Sequence, residues 1–484
     1  MSIKKKNIAI YGAGITAKKV FKNLIKQKKS RIIAFVDDSI ELHGKELFKI
    51  PIINFDSLAE LLNKKKITEI YIAIPSLRDD EKTNLIKKIY KINKSISIKI
   101  TGGVDDILIE NQNVTSLEKI SYDNFFNKKK IYDIYPLKNK NIFKKNVLIT
   151  GAGGSIGSEL SKQVLNLKPK KLIILDSSES SLFKIQQEIL KNINSKSTKI
   201  ITYLISIKEK KYLTDIFNAH SIDTVYHAAA YKHVGLVENN ICYSILNNVL
   251  GTLNLCELIV AYKIKQFVLI SSDKAVEPNN IMGLTKKISE LLCQEFSEKK
   301  TKSNFTIVRF GNVIGSSGSV IPIFQKQILS GGPITLTHKR VERYFMSISE
   351  AVSLIIEAGN MNNEGKIFIL DMGKPIKIFD LAKKMCNFFG YNLIEKNKKI
   401  TSKNDIMLKI IGLNKGEKIK EKLFLHNENF EKSSHPLILK GKKEKHIKIK
   451  IIKFCKDLIK VCNNNDIKNL KRLLKKQPIS YNKI

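Results

Sequence analysis

The sequence predicts an α/β protein built from two tandem parallel-sheet units. Three observations carry this. Short apolar runs alternate with amphipathic stretches from Asn7 to about Ile120, and again from Asn146 onward. A glycine-rich turn follows the first apolar run of each unit, Gly12-Ala-Gly14-Ile-Thr-Ala17 and Gly151-Ala-Gly-Gly-Ser-Ile-Gly157. An aspartate then closes the second apolar run of each, Asp37 and Asp176.

Taken in order, the first unit opens on strand Ile8–Tyr11, then its glycine turn and an amphipathic helix through Leu24. A second strand, Arg31–Val36, ends in Asp37-Asp38, and a third apolar run, Glu69–Ile74, ends in Pro75-Ser76. The unit is set at residues 1–125, and the lysine-rich, weakly patterned stretch 126–145 is the expected linker. The second unit, 146–442, opens on strand Asn146–Ile149. Further strands are expected at Lys171–Leu175, Ile200–Leu204, Thr224–His227, Gln266–Ile270 and Phe305–Val308, with helices such as 178–191 and 251–262 between them. Beyond Gly311 the pattern breaks into shorter elements, read as a small substrate-binding subdomain. In the tail, 443–484, Ile451, Phe454, Leu458 and Val461 recur at helical spacing and predict a surface helix with one apolar face on the domain. Both units therefore read as Rossmann-like.

Composition narrows the function. The 484 residues suffice for two or three full cores, and the 43% apolar fraction is ordinary. The formal charge of +40 is extreme, but only six basic residues are arginine and the lysines spread over every segment. A nucleic-acid binder concentrates arginine and interleaves aromatics on one face, so no specific nucleic-acid partner is expected. The charge can draw nucleotide phosphates, and it leaves peripheral contact with anionic membranes open. None of the six cysteines is spaced as C-x-x-C, so no metal site or redox pair is expected. No apolar run is read as the ~18–20 residues that span a bilayer, and the N-terminus lacks a signal-peptide core. A cytoplasmic location is the expectation.

The second glycine turn carries the strongest signal. Gly151 permits the tight turn, Gly154 lets backbone approach a pyrophosphate, and Gly157 allows close packing of the following helix. Gly151, Gly153, Gly154, Ser155, Ile156 and Gly157 are assigned to a dinucleotide, whose phosphates would meet the free N–H groups of the helix start. Asp176 is placed to accept from the adenosine ribose, and its charge would repel a 2′-phosphate, which favours NAD over NADP. A glycine turn without ligand is the plain alternative; strand, turn, helix and acid in one order argue against it. The first turn is weaker, with Ala17 as third small residue. A second nucleotide site and a regulatory or assembly domain are equal readings there. In Val225-Tyr-His-Ala-Ala-Ala230, the small Ala228, Ala229 and Ala230 would let backbone approach the cofactor. Lys232 and His233 follow; Lys232 faces either a diphosphate or solvent, and a structural role is the plain reading of a lone histidine beside a strand.

Past strand Gln266–Ile270, Asp273-Lys274 offers a proton donor beside a proton acceptor, and Lys286 is placed to hold a nicotinamide ribose. Together these point to an oxidation followed by an elimination. Met282 stands four residues before Lys286, where Tyr-x-x-x-Lys would place the tyrosine that takes an alcohol proton.

These motifs resemble the nucleotide-sugar 4,6-dehydratases of the extended short-chain dehydrogenase/reductase superfamily, in particular the polysaccharide-biosynthesis UDP-N-acetylglucosamine 4,6-dehydratases with methionine in place of tyrosine. The resemblance covers residues 1–440. It rests on Ser271-Ser-Asp-Lys-Ala-Val276 with Pro278 and Met282-Gly283, on Arg309 to Pro322, on Arg343-Tyr-Phe-Met-Ser-Ile348, and on Asp371-Met-Gly373 and Gly416-Glu-Lys418. It implies NAD as cofactor, a UDP-N-acetyl-hexosamine as substrate and a homo-oligomer. It implies Lys274 as base at C5, Asp273 as acid at the C6 hydroxyl, Ser272 as donor to the C4 oxygen, and retention at C5 where Met282 replaces tyrosine. Asn312, Ser316, Val320, Arg343 and Glu417, with Lys232 and His233, would hold the nucleotide sugar; a structural salt bridge is the plain reading of Arg343. Three departures stand out. The larger members carry transmembrane helices before the first Rossmann-like unit. The family's Gly-Asp that contacts adenine is here Ile205-Ser206, so Ser206 takes that place. Its threonine before the acid is Ser272. A 4-epimerase or reductase on the same fold, and a non-catalytic NAD-binding regulator, remain as rival readings.

Overall fold

The computed structural model describes residues 6–26, 30–64, 66–74, 77, 79–93, 96–100, 140–191, 198–299, 302–361, 365–389, 391–395, 402, 404–424, 430–441 and 450–475. They fall into two compact units, one drawn from Met1–Lys128, Phe324–Ile334 and Leu381–Lys409, the other from Lys129–Ile323, Thr335–Asp380 and Ile410–Ile484. Most of the expected linker, up to residue 139, lies outside the described residues.

The first unit alternates strand and helix as β1 (Lys6–Tyr11), α1 (Ile15–Lys26), β2 (Ser30–Val36), β3 (Glu46–Leu47), β4 (Ile50–Ile53), α2 (Phe55–Asn63), β5 (Glu69–Ile72), α3 (Asp79–Ile92) and β6 (Ser97–Ile100). Its six-stranded sheet runs β3-β4-β2-β1-β5-β6 and is parallel except for β3 against β4. Ile8, Ile10, Ala17, Val20, Phe21 and Phe35 form its core under α1. The turn after β1 is tied to the end of β2: Asp37 accepts from Ala13 N at 2.8 Å and from Ser39 N at 3.0 Å.

The second unit begins β7 (Asn146–Thr150), α4 (Ser155–Asn166), β8 (Lys171–Asp176), α5 (Glu179–Lys191), β9 (Lys199–Leu204), α6 (Lys210–Ala219) and β10 (Thr224–His227). It continues through α7 (Val234–Asn239), α8 (Ile241–Ile245), a π-turn (Leu246–Leu250), α9 (Gly251–Ala261), β11 (Gln266–Ile270), α10 (Ile281–Glu298) and β12 (Asn304–Arg309). Strands β7 and β11 are buried along their whole length. That is why they read as unbroken apolar runs, as strands covered on both faces do. The nine-stranded sheet is ordered Phe430–Lys432, Ile438–Gly441, Ile367–Leu370, β12, β11, β10, β7, β8, β9. From β9 to β12 all pairs are parallel. Strand order reverses between β7 and β10, and the crevice at their carboxyl ends is where such sheets take ligands.

Two elements correct or extend the sequence reading. The continuous helical run Ile241–Ala261 is long and apolar enough to cross a membrane by length and composition, against the expectation of no such run; 72% of that window is buried inside the unit, as in a core helix. The tail forms helices Ile451–Asn463 and Ile467–Lys475, and Ile451, Phe454, Cys455, Leu458, Leu470 and Leu474 join the main core. The first of these helices packs on α10 and α8.

Candidate functional site at the carboxyl end of the second sheet

The glycine turn after β7 is shaped by close approach. Gly151 has φ +67°, and a Cβ there would stand 2.5 Å from Ala229 N, so the turn nests against the Ala228–Ala230 segment that leaves β10. A Cβ at Gly157 would meet Gly151 O at 2.0 Å, which lets α4 start directly on the turn. Gly153 is pressed on Ser181, whose Cβ would lie 2.4 Å from an added Cβ. Gly154 differs, since a Cβ would find only Gly151 O, at 3.3 Å. Gly154 is also the N-cap of α4, without a side-chain cap, so the first-turn N–H groups of Ser155 and Ile156 stand at the positive end of a 12-residue helix.

Asp176 ends β8 and spends both oxygens on backbone. Oδ2 accepts from Gly153 N at 2.9 Å and Oδ1 from Ser178 N at 2.9 Å. Sequence reasoning gave this carboxylate only a ligand role; it also fixes the glycine turn, as Asp37 does in the first unit. Ser206 opens the turn after β9, where its Oγ accepts from Lys208 N at 3.3 Å.

The loop at 316–320 comes down on the same region. Ser317 N donates to Ser155 Oγ at 3.3 Å. Gly318 lies against His233, 2.5 Å from Cε1 to an added Cβ, and Ser316 is buried. Val320 begins the next helix. Thus the 316–320 loop touches Ser155 through Ser317 and His233 through Gly318, while Lys232 and His233 are both exposed. Asn248, in the π-turn, holds the loop after β10 by accepting from Tyr231 N at 2.8 Å and donating to Tyr231 O at 3.1 Å.

The acid–base segment follows β11. Ser272 caps the short turn Asp273–Ala275 and donates to Asp273 Oδ1 at 2.9 Å. Lys274 Nζ donates to Asp273 Oδ1 at 3.0 Å and to Asn312 Oδ1 at 3.3 Å. The Asp273 side chain is fully buried, and its Oδ2 has no hydrogen-bond partner. That oxygen faces Gly311, 3.1 Å from where a Cβ would be. Burial pulls the Lys274 ammonium down, but Asp273 and then Glu421 outweigh it and hold its pKa above the usual lysine value. The geometry pairs the Lys274 amine directly with the Asp273 carboxyl.

Met282 is 3% exposed in the first turn of α10 and packs into the core. One turn on, Lys286 Nζ donates to Ile270 O at 2.9 Å, and burial lowers its pKa to about 8. Behind the segment lies a pair the sequence reading missed. Arg309 Nε and Nη2 donate to Glu290 Oε1 and Oε2 at 2.9 and 2.8 Å, with both side chains fully buried. Ser271 Oγ adds a bond to Glu290 Oε1 at 2.5 Å. Burial pushes Glu290 up, but Arg309 holds it below the usual carboxylate range. The available signal was Glu290 one helical turn after Lys286 and a lone arginine closing β12.

Arg343 and Glu417, both expected at the nucleotide sugar, are paired with each other at 3.2 Å. Arg343 Nη1 also donates to Glu342 O and Ile419 O, at 2.8 and 3.1 Å. This is the salt bridge weighed for Arg343 as its plain reading. No cluster able to hold a metal occurs among the described residues. The groups span the sheet: Asp176 on β8 lies three strands from β11, about 14 Å at ordinary strand spacing. A ligand touching both ends must be extended.

Residues 147–443 match the family model described as polysaccharide biosynthesis protein, and residues 7–79 that of the PglD N-terminal domain. The chain is 36% identical over 462 residues to the capsular polysaccharide biosynthesis protein CapD of Staphylococcus aureus, covering 95% of this chain and 75% of that protein. A UDP-N-acetylglucosamine 4,6-dehydratase (inverting) of Campylobacter jejuni is 31% identical, with 57% of this chain and 77% of that protein aligned. A UDP-glucose 4-epimerase of Rickettsia rickettsii is 32% identical, with 59% and 79% aligned. Among solved structures, Pen from Bacillus thuringiensis superposes with a TM-score of 0.56 at 34% identity, covering 62% of this chain and 88% of that one. The chain belongs to the polysaccharide biosynthesis protein family, within the nucleotide-sugar dehydratase group of extended short-chain dehydrogenases/reductases.

Proposed function

We propose that this chain is an NAD-dependent 4,6-dehydratase of a UDP-N-acetyl-hexosamine, UDP-N-acetylglucosamine in the first instance, retaining configuration at C5 and serving polysaccharide precursor synthesis. The observation that carries this reading is the Asp273–Lys274 pair, its carboxyl fully buried and its amine partly open, at the same carboxyl end of the sheet as the glycine turn. Elimination of water needs an acid and a base; a 4-epimerase has no use for the pair. The residues fit the cofactor: Gly154 leaves backbone clear at a helix start, Asp176 stands at the ribose position, and Lys286 has spent one of its three donors. NAD bound there supplies the acceptor and later the donor of a hydride, so the reaction is redox-neutral.

The chain's own residues manage protons. Ser272 Oγ turns its hydrogen to the C4 oxygen of the sugar; the C4 hydroxyl proton, released as the hydride leaves, passes to water, from which the Asp273–Lys274 pair regains the proton it later spends on the departing C6 hydroxyl. A single proton shift along the 3.0 Å Lys274–Asp273 contact converts ammonium and carboxylate into amine and carboxylic acid. That is the state elimination requires. The 4-keto group acidifies C5–H; Lys274 removes this proton while Asp273 protonates the departing C6 hydroxyl. Lys274 then returns a proton to the face it took one from, and a tyrosine that could serve the opposite face is replaced by Met282. Asn312, Ser316, Val320 and His233 are assigned to the sugar-nucleotide side, and Arg343, held by Glu417 and two backbone carbonyls, would meet the diphosphate with its remaining donors. UDP-sugar and NAD are both cytoplasmic metabolites in this reading, and the enzyme works there as a homo-oligomer.

The test is turnover with UDP-N-acetylglucosamine and NAD. A 4-keto-6-deoxy product with no accumulating NADH supports the reading. A C4 epimer identifies an epimerase, and NAD binding without turnover identifies a regulator.

A further inference from the structure

Residues 416–421 lie over the turn that carries Asp273 and Lys274. Asn280 Nδ2 donates to Gly416 O at 3.1 Å, and Lys418 Nζ donates to Val276 O at 2.8 Å. Through Lys418, which stands between Val276 O and the Glu421 carboxyl, these bonds set Glu421 beside the Asp273–Val276 turn. It is 7% exposed, and its Oε2 is buried with no hydrogen-bond partner; Lys418 Nζ stands 3.9 Å away. Stranding a buried carboxyl oxygen costs free energy and gives the fold nothing in return. Among the described residues only two carboxyl oxygens are stranded in this way, Glu421 Oε2 and Asp273 Oδ2, and both belong to this cluster. Such groups concentrate where chemistry needs them.

We propose that Glu421 is a positioning residue of the elimination site, flanking Lys274 together with Asp273, steadying its ammonium form and setting how readily it releases its proton. This rests on the function proposed above. The charges facing Lys274 are Asp273, Glu421 and Arg343. Those facing Glu421 are Lys274, Asp273, Arg343 and Lys418, and Lys418 in turn feels Glu277 and Lys422. Burial pushes the Glu421 carboxyl above the usual range, and Lys274 draws it part of the way back. Without the Glu421 charge, Lys274 keeps only Asp273 against burial and Arg343, so it deprotonates at lower pH.

The experiment is competitive acetylation of Lys274 across pH, read by peptide mass spectrometry; the side chain is 18% exposed, enough for labelling. In Glu421→Gln the Lys274 midpoint should fall by about 1 pH unit, the effect of one nearby charge. Glu421→Asp, which keeps the charge, should return it toward the wild-type value. Turnover profiles should follow, with the falling limb of kcat moved to lower pH, because elimination uses the one proton the Asp273–Lys274 pair holds, and KM for the UDP-sugar changed less than about twofold, since Glu421 acts through Lys274 and not on the sugar. An unchanged Lys274 midpoint in folded Glu421→Gln overturns the inference. Labelling needs no turnover, so a wild-type protein that fails to dehydrate UDP-N-acetylglucosamine would overturn the functional reading instead.

Discussion

Replacing Arg309 by methionine tests how the acid–base segment is held. Methionine fills much of the same volume but leaves the fully buried Glu290 carboxylate with Ser271 Oγ in place of two charge-assisted bonds at 2.9 and 2.8 Å. Breaking one side of a buried pair costs about 3–5 kcal/mol. Against a typical total of about 5–15 kcal/mol this is a large loss. Replacing both partners, Arg309→Met with Glu290→Leu, removes the stranded charge and should recover about 2–4 kcal/mol of it. The loss should also depend on pH. In the wild type Arg309 depresses Glu290, so its contribution is full above the unfolded value of about 4.3 and is lost as pH falls through the lower folded value. Arg309→Met removes the main opposition to burial and leaves Lys287 and the Ser271 hydrogen bond, so the folded pKa rises and the penalty is largest at high pH. The gap between wild type and variant should therefore shrink from pH 8 to pH 5. The chain has no tryptophan, so urea unfolding is followed by far-UV circular dichroism. A loss below about 1 kcal/mol, or a gap independent of pH, would refute the reasoning.

Lys274→Met should keep NAD binding and lose dehydration by roughly 10²–10⁴-fold, the usual range for one acid–base group; near-normal turnover would remove Lys274 from the chemistry. Asp176→Ala should narrow the preference for NAD over NADP and weaken both, because it also releases Gly153 N and Ser178 N. Tighter binding of NADP than NAD by the wild type would show that Asp176 does not set the choice. Gly311→Ala places a methyl 3.0 Å from Met372 Sδ and 3.1 Å from Asp273 Oδ2. It should cost about 1–3 kcal/mol of stability by overpacking and lower kcat, whereas an unchanged kcat would separate Asp273 from the reacting sugar.

Much of this architecture was legible because its central strands are covered on both faces. Thr224–His227 and Gln266–Ile270 are found as read, and β7, β8, β9 and β12 differ by a residue or so at their ends. Strands at or next to the sheet edges were not legible. Ile50–Ile53, second from one edge, contains Pro51, and the edge strand Ser97–Ile100 carries Lys99, which reaches Glu69 on the neighbouring strand at 2.8 Å. The helical run Ile241–Ala261 did not read as membrane-length because Asn247, Asn248, Asn254 and Glu257 interrupt it; the fold satisfies Asn248 and Asn254 through backbone carbonyls. At the site, local order exposed Gly151–Gly157 and Asp273-Lys274. Partners distant in sequence stayed hidden. Arg343 and Glu417 are 74 residues apart, and nothing in a lysine-rich chain marks Glu290 and Glu421 as the acids that become buried.

The central claim is that Asp273 and Lys274 expel water and that Lys274 reprotonates C5 on the face it deprotonated. Proton NMR of the freshly formed product from UDP-N-acetylglucosamine and NAD tests it most directly, read before spontaneous epimerisation at C5. The expected first signal is UDP-2-acetamido-2,6-dideoxy-α-D-xylo-hexos-4-ulose. An initial L-arabino signal with no xylo precursor would contradict same-face return by Lys274, and a C4 epimer that keeps its C6 hydroxyl would contradict the elimination itself.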